Sequence, residues 1–145
     1  RWLLSCVFAE HTRRRERLQA AIEVCRSQAL RVQREDLLTD LRPLIDAAPS
    51  DAQLVLFHSA VLCYLQPEQR IEFANRLAEM SHEREIVWIS NEAPTVVPEI
   101  TALAPATEQR RFLVGRTYLS AGQRRDELVA TAQAHGADLE WLLPK

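Results

Sequence analysis

The sequence predicts an α/β protein with a doubly wound, mostly parallel sheet and an antiparallel edge near its C-terminus. Three observations carry that expectation. Stretches of helical apolar spacing alternate with short runs rich in β-branched and aromatic residues. Their order, strand-helix-strand-helix-strand, suits right-handed parallel crossovers. Two runs, QLVLF at 53–57 and IVWIS at 86–90, are apolar on both faces, as central strands of parallel sheets are.

Each element has its own reason. Residues 2–8 fit a short helix or a strand. Leu18, Ala21, Ile22 and Cys25 follow at i, i+3, i+4 and i+7, a core-facing helical stripe. Thr12 with Glu16 marks that helix's start, and Arg13, Arg14, Arg15 and Arg17 occupy its solvated side. In ALRVQRED, Leu30 and Val32 alternate with Arg31 and Gln33, a short strand ending in the acidic pair Glu35 and Asp36. Leu37, Leu41 and Ile45 resume helical spacing, with Pro43 weakening the middle. Pro49-Ser50-Asp51 is a turn cluster before QLVLF.

Pro67 then takes the first position of a helix carrying Ile71, Phe73, Ala74 and Leu77. After IVWIS, Pro94 and Pro98 mark an irregular stretch. FLVGRTYLS and ADLEWL read as strands, DELVATAQ as strand or helix, and Ala134-His135-Gly136 as a turn. Trp88 and Trp141 sit mid-strand and away from basic residues, so both read as core or sheet-packing aromatics. His11 and His82 read as surface residues.

Composition narrows the function classes. A chain of 145 residues is expected to form one domain, with 47% apolar and 26% charged residues in the globular range. A net charge of −2 argues against a nucleic-acid platform, which carries a basic excess. Of the 18 basic residues only Lys145 is lysine, and the arginines are scattered rather than stacked on one face. Cys6, Cys25 and Cys63 are odd in number and lack C-x-x-C spacing, so free thiols in a reducing cytoplasm are expected. No apolar run is long enough to cross a bilayer and no signal peptide opens the chain. The first residue is Arg1, so a longer parent protein is expected.

Candidate site residues cluster at strand ends. Ligands of open α/β sheets bind beyond the carboxyl ends of the strands. Three polar pairs are expected there: Glu35 with Asp36, His58 with Ser59, and Asn91 with Glu92. Asp36 can accept a hydrogen bond from a ligand or cap the helix after it. His58 can act as base, donor or ligand, and equally can satisfy backbone groups with Ser59. Cys63 stands five residues from His58, too little for zinc, so no metal site is expected. No G-x-G-x-x-G loop occurs, since the three glycines are Gly115, Gly122 and Gly136.

Several stretches point to a known group. VLFHSAVLCYL, PEQRIEFANRL and IVWISNEAP, with the opening WLLSCVFAEHTRRRERLQAAIEVC and the closing HGADLEWL, resemble an uncharacterised bacterial family, domain of unknown function 2332. That resemblance implies a three-layer Rossmann-like fold related to class I S-adenosylmethionine-dependent methyltransferases, of which this chain is the C-terminal half. It implies that Asp36, with the Leu37 N–H, meets the cofactor's adenine. His58 and Ser59 become the catalytic candidates, and Tyr64, Asn91 and Glu92 face a small-molecule or protein substrate. The glycine-rich cofactor loop is absent here, so S-adenosylmethionine is expected to bind a longer chain and not this segment tightly. The alternative is a non-catalytic Rossmann-like binding module that self-associates through an exposed sheet edge.

Overall fold

The computed structural model describes residues 2–28, 30, 32–108, 110–133 and 136–142. They form two compact units, Arg1–Glu35 and Asp36–Lys145. The first holds α1 (Trp2–Ser5) and α2 (Thr12–Ser27), with Arg15 Nη1 donating to the Leu4 carbonyl at 3.4 Å. The predicted stripe on α2 is not a buried one. Leu18 and Ile22 are half-buried while Ala21 and Cys25 are exposed, because a unit this small offers one long helix little to pack against. The strand expected at 30–33 is absent among its described residues as well. Leu30 and Val32 are 62% and 95% exposed and outside any strand, while Ala29 and Arg31 lie outside the described residues.

The second unit is built on a five-stranded mixed sheet. Its strands are β1 (Leu54–Ser59), β2 (Ile86–Glu92), β3 (Phe112–Ser120), β4 (Gln123–Ala132) and β5 (Leu139–Trp141). They lie in sequence order, and only β1 and β2 run parallel; the expected mostly parallel sheet is in fact mostly antiparallel. The connections explain the difference. Residues 60–85 carry α4 (Pro67–Met80), long enough for a parallel crossover, whereas β3 and β4 meet over a two-residue turn that permits only a hairpin. That turn, Ala121-Gly122, has φ of 49° and 75°, the left-handed pair that matches strand twist. Gly122 is required twice over, since a Cβ there would sit 2.5 Å from the His82 ring. The backbone N–H groups of Ala121 and Gly122 donate to the Ser81 carbonyl (2.9 Å) and hydroxyl (3.1 Å), tying the hairpin to the end of α4.

One face of the sheet holds the core. Phe73, Leu77 and Met80 of α4 pack with Leu41 and Ile45 of α3 (Leu41–Asp46) and Ile100 of α5 (Pro98–Leu103) over Ile86, Trp88, Leu113 and Leu119. Phe73 and Leu77 are completely buried, and burying each stabilises the fold by about 1.5–3 kcal/mol. Pro67 stands at the first position of α4 as expected, and Gln66 and Gln69 close a reciprocal cap. Pro98 likewise starts α5, a helix hidden in the sequence by Pro98 itself and by Pro94 ahead of it. Gly115 lets α5 approach, because a Cβ would lie 2.5 Å from Ile100 Cγ1.

The opposite face is open on β1. This strand is at the sheet's edge, not its centre, so Val55 (55%) and Phe57 (64%) are exposed while Leu54, Leu56 and His58 turn to the helices. Trp88 is buried as expected, but Trp141, on the three-residue edge strand β5, is 55% exposed and packs no core. Gly136 has φ of 66°, as a turn needs; Ala134 and His135 lie outside the described residues.

Candidate functional site

Strand pairing brings two of the three polar pairs together. His58 is opposite Ser90 and Ser59 is opposite Asn91 in the parallel register. Side chains alternate across a sheet, so His58 and Glu92 share the helix-covered face, while Ser59 and Asn91 share the other. The imidazole is 8% exposed and Glu92 is 2% exposed. His58 Nδ1 lies 2.8 Å from Glu92 Oε1, and Trp88 Nε1 lies 2.8 Å from His58 Nε2. An indole N–H can only donate, which fixes Nε2 as acceptor and places the imidazole proton on Nδ1, facing the carboxylate. Both nitrogens of His58 are therefore occupied.

The same carboxylate oxygen gathers two further donors. Ala60 has φ of 52°, and the reversal it makes after β1 aims the N–H groups of Val61 (2.8 Å) and Leu62 (2.9 Å) at Glu92 Oε1. Burial pushes the Glu92 carboxyl up, but the hydrogen bonds from His58, Leu62 and Val61 outweigh it and hold the group below its ordinary value. Oε2 has no partner among the described residues, and the void beside Glu92, Ser90 and Thr101 is too narrow for a water. Phe73 braces the group edge-on, 6.2 Å from the His58 ring and 5.6 Å from Trp88.

The remaining candidates lie elsewhere. On the open face Asn91 Nδ2 donates to Ser59 Oγ at 3.0 Å. Tyr64 ends the 3-10 turn Leu62–Tyr64 and is 85% exposed. Asp36 ends no strand. It starts a turn ahead of α3, where Oδ1 accepts from the N–H groups of Leu38 (2.8 Å) and Thr39 (2.9 Å), and its own N–H donates to Asp40 Oδ2 (2.7 Å). Those backbone bonds, from Thr39 and then Leu38, hold its carboxyl below the ordinary value. The helix cap that the sequence allowed is not formed: the residue at the N-cap of α3 is Asp40, and Asp36 braces the turn before it. Leu37 is half-buried against the core.

An apolar cleft of about 140 Å³ opens beside the buried triad. Trp88 and Leu62 form its floor, Ile71 and Ala74 of α4 one wall, and Val97 and Pro98 the other. Arg70 and Glu99 also line it, and Glu99 pairs with Arg124 at 3.1 Å. The Arg124 guanidinium lies 5.4 Å from the Trp88 ring centre and holds Asp126 through Nε at 2.8 Å. Sequence reasoning missed Arg70, Arg124 and the donor role of Trp88. The period-2 spacing of Trp88, Ser90 and Glu92 was the available signal, since it sets all three on one face of β2.

The family described as "Uncharacterized protein conserved in bacteria (DUF2332)" matches residues 1–141, nearly the whole chain. The chain belongs to the DUF2332 family. Within this DUF2332 domain, the described residues include no helix long and apolar enough to cross a membrane. They also include no cluster of three metal-ligating side chains, and Cys6, Cys25 and Cys63 are free and exposed. No curated protein and no solved structure matches the chain.

Proposed function

We propose that this chain is a small-molecule-binding α/β module whose ligand enters the cleft over Trp88. The carrying observation is the tie between cleft and triad. Trp88 forms the floor, and its N–H is fixed by His58, which Glu92 fixes in turn. His58, with both nitrogens occupied, is a positioning residue for the indole in this reading and not a base. Replacing tryptophan by 5-fluorotryptophan and recording fluorine NMR with 2-phenylethanol is the test. The Trp88 signal should shift saturably, while exposed Trp2 and Trp141 stay in place as internal controls. Equal shifts at all three tryptophans, or none at Trp88, defeat the reading.

A second reading, methyl transfer from S-adenosylmethionine, is favoured by the parallel β1 and β2, whose carboxyl ends carry the polar pairs. Methyl transfer needs alignment more than a base. In this reading Asp36 and Leu37 would meet the adenine in a longer protein, and Tyr64 and Asn91 would face the substrate, while Glu92, buried on the other face, would hold His58. Calorimetry on that protein with S-adenosylhomocysteine tests it; silence at high micromolar concentration removes it.

A further inference from the structure

Among the described residues, most arginines of the second unit pair with carboxylates, whereas Arg70 and Arg84 bond only to backbone carbonyls, and of these two Arg70 lines the cleft. Arg42, Arg76, Arg111, Arg116, Arg124 and Arg125 each meet a carboxylate. Arg70, half-buried on the cleft wall, meets none among the described residues. Its Nε donates to the carbonyls of Leu62 (2.9 Å) and Leu65 (3.1 Å) and its Nη2 to that of Cys63 (3.3 Å), while Nη1 has no acceptor among the described residues. These contacts hold the guanidinium rigidly but leave its charge unneutralised. The one carboxylate on the wall, Glu99, is already paired with Arg124. The whole cleft, about 140 Å³, is close in volume to a cavity of roughly 150 Å³ known to take a benzene ring.

We propose that the cleft recognises a small amphipathic carboxylate, a single aromatic ring or short branched chain over Trp88 with its anionic head on Arg70. The inference rests on the cleft reading above and names its ligand class. A charge-assisted bond from a held guanidinium to a carboxylate is stronger than any bond to a neutral head, and burial beside apolar side chains strengthens it.

Three isosteres separate the possibilities: phenylacetate, 2-phenylethanol and 2-phenylethylamine, each titrated against the fluorine signal of Trp88. Phenylacetate should bind at least about tenfold more tightly than the alcohol, with the amine weakest. Arg70→Gln should cost phenylacetate more affinity than it costs the alcohol and so close the gap between them, while Arg70→Lys keeps part of the preference. The wild-type ranking needs no variant, so it decides the matter even where Arg70→Gln loosens the turn it braces. Equal affinities for all three overturn the anion preference and leave the cleft standing. No shift with any of them overturns the cleft reading and this inference together.

Discussion

His58 and Ser59 are neighbours, as are Asn91 and Glu92, yet the strands send one of each to opposite faces. On the covered face the pair is an imidazole and a carboxylate 2.8 Å apart, with Val61, Leu62 and Trp88 supplying the further donors. On the open face it is a hydroxyl and an amide 3.0 Å apart. In sequence the two pairs look alike. What separates them is environment: His58 and Glu92 are both buried, whereas Ser59 is exposed and Asn91 half-buried, and an unmade hydrogen bond is nearly free only where water can replace it.

The sharpest test of that contrast is Glu92→Ala, which strips three donors of their common acceptor. It should destabilise the chain by at least about 2 kcal/mol in urea unfolding, because each buried donor left without an acceptor costs about 1–3 kcal/mol. A loss under about 1 kcal/mol would mean that the covered pair is no different from the open one. Trp88→Phe removes the donor to His58 Nε2 and should cost about 1–3 kcal/mol, with the indole's contact to Arg124 lost as well.

Acid offers an independent route to the same residue. The folded Glu92 carboxyl is held below its ordinary value, so its contribution is complete above that value and disappears as pH falls through the folded one. Stability measured from neutral pH downward should therefore begin to fall near pH 4.5, where unfolded glutamate takes up its proton. Glu92→Gln should flatten that limb, and an unchanged slope would count against the assignment. At the small end, Ser59→Ala should shift stability by no more than about 0.5 kcal/mol. Double-mutant cycles complete the comparison, with coupling of about 0.5–3 kcal/mol expected for His58 with Glu92 and close to zero for Ser59 with Asn91.

Local pattern reached the elements that tertiary context leaves alone. β2, β3 and α4 were legible because apolar period and proline placement agree there. The run at 30–33 misled because two alternating apolar residues carry no information about a partner strand. The exposed Val32 makes the point. β1 misled differently: its residues suit burial on both faces, and only its place at the edge leaves Val55 and Phe57 uncovered. The sequence pattern did place His58, Ser59, Asn91 and Glu92 at strand ends. It could not find their pairing, since the partners are separated by the whole of α4, nor Arg70, whose meaning comes from the carbonyls and cleft around it.

The two-residue turn at Ala121-Gly122 also orders events in time. Its strands meet through local contacts and can zip up in microseconds, whereas His58 must find Glu92 across 34 residues after a parallel crossover has closed. The hairpin of β3 and β4 is thus expected as an early scaffold, with the histidine and its carboxylate sealed last. Pulsed hydrogen exchange during refolding would register it as protection of the β3 and β4 amides before the Trp88 indole N–H.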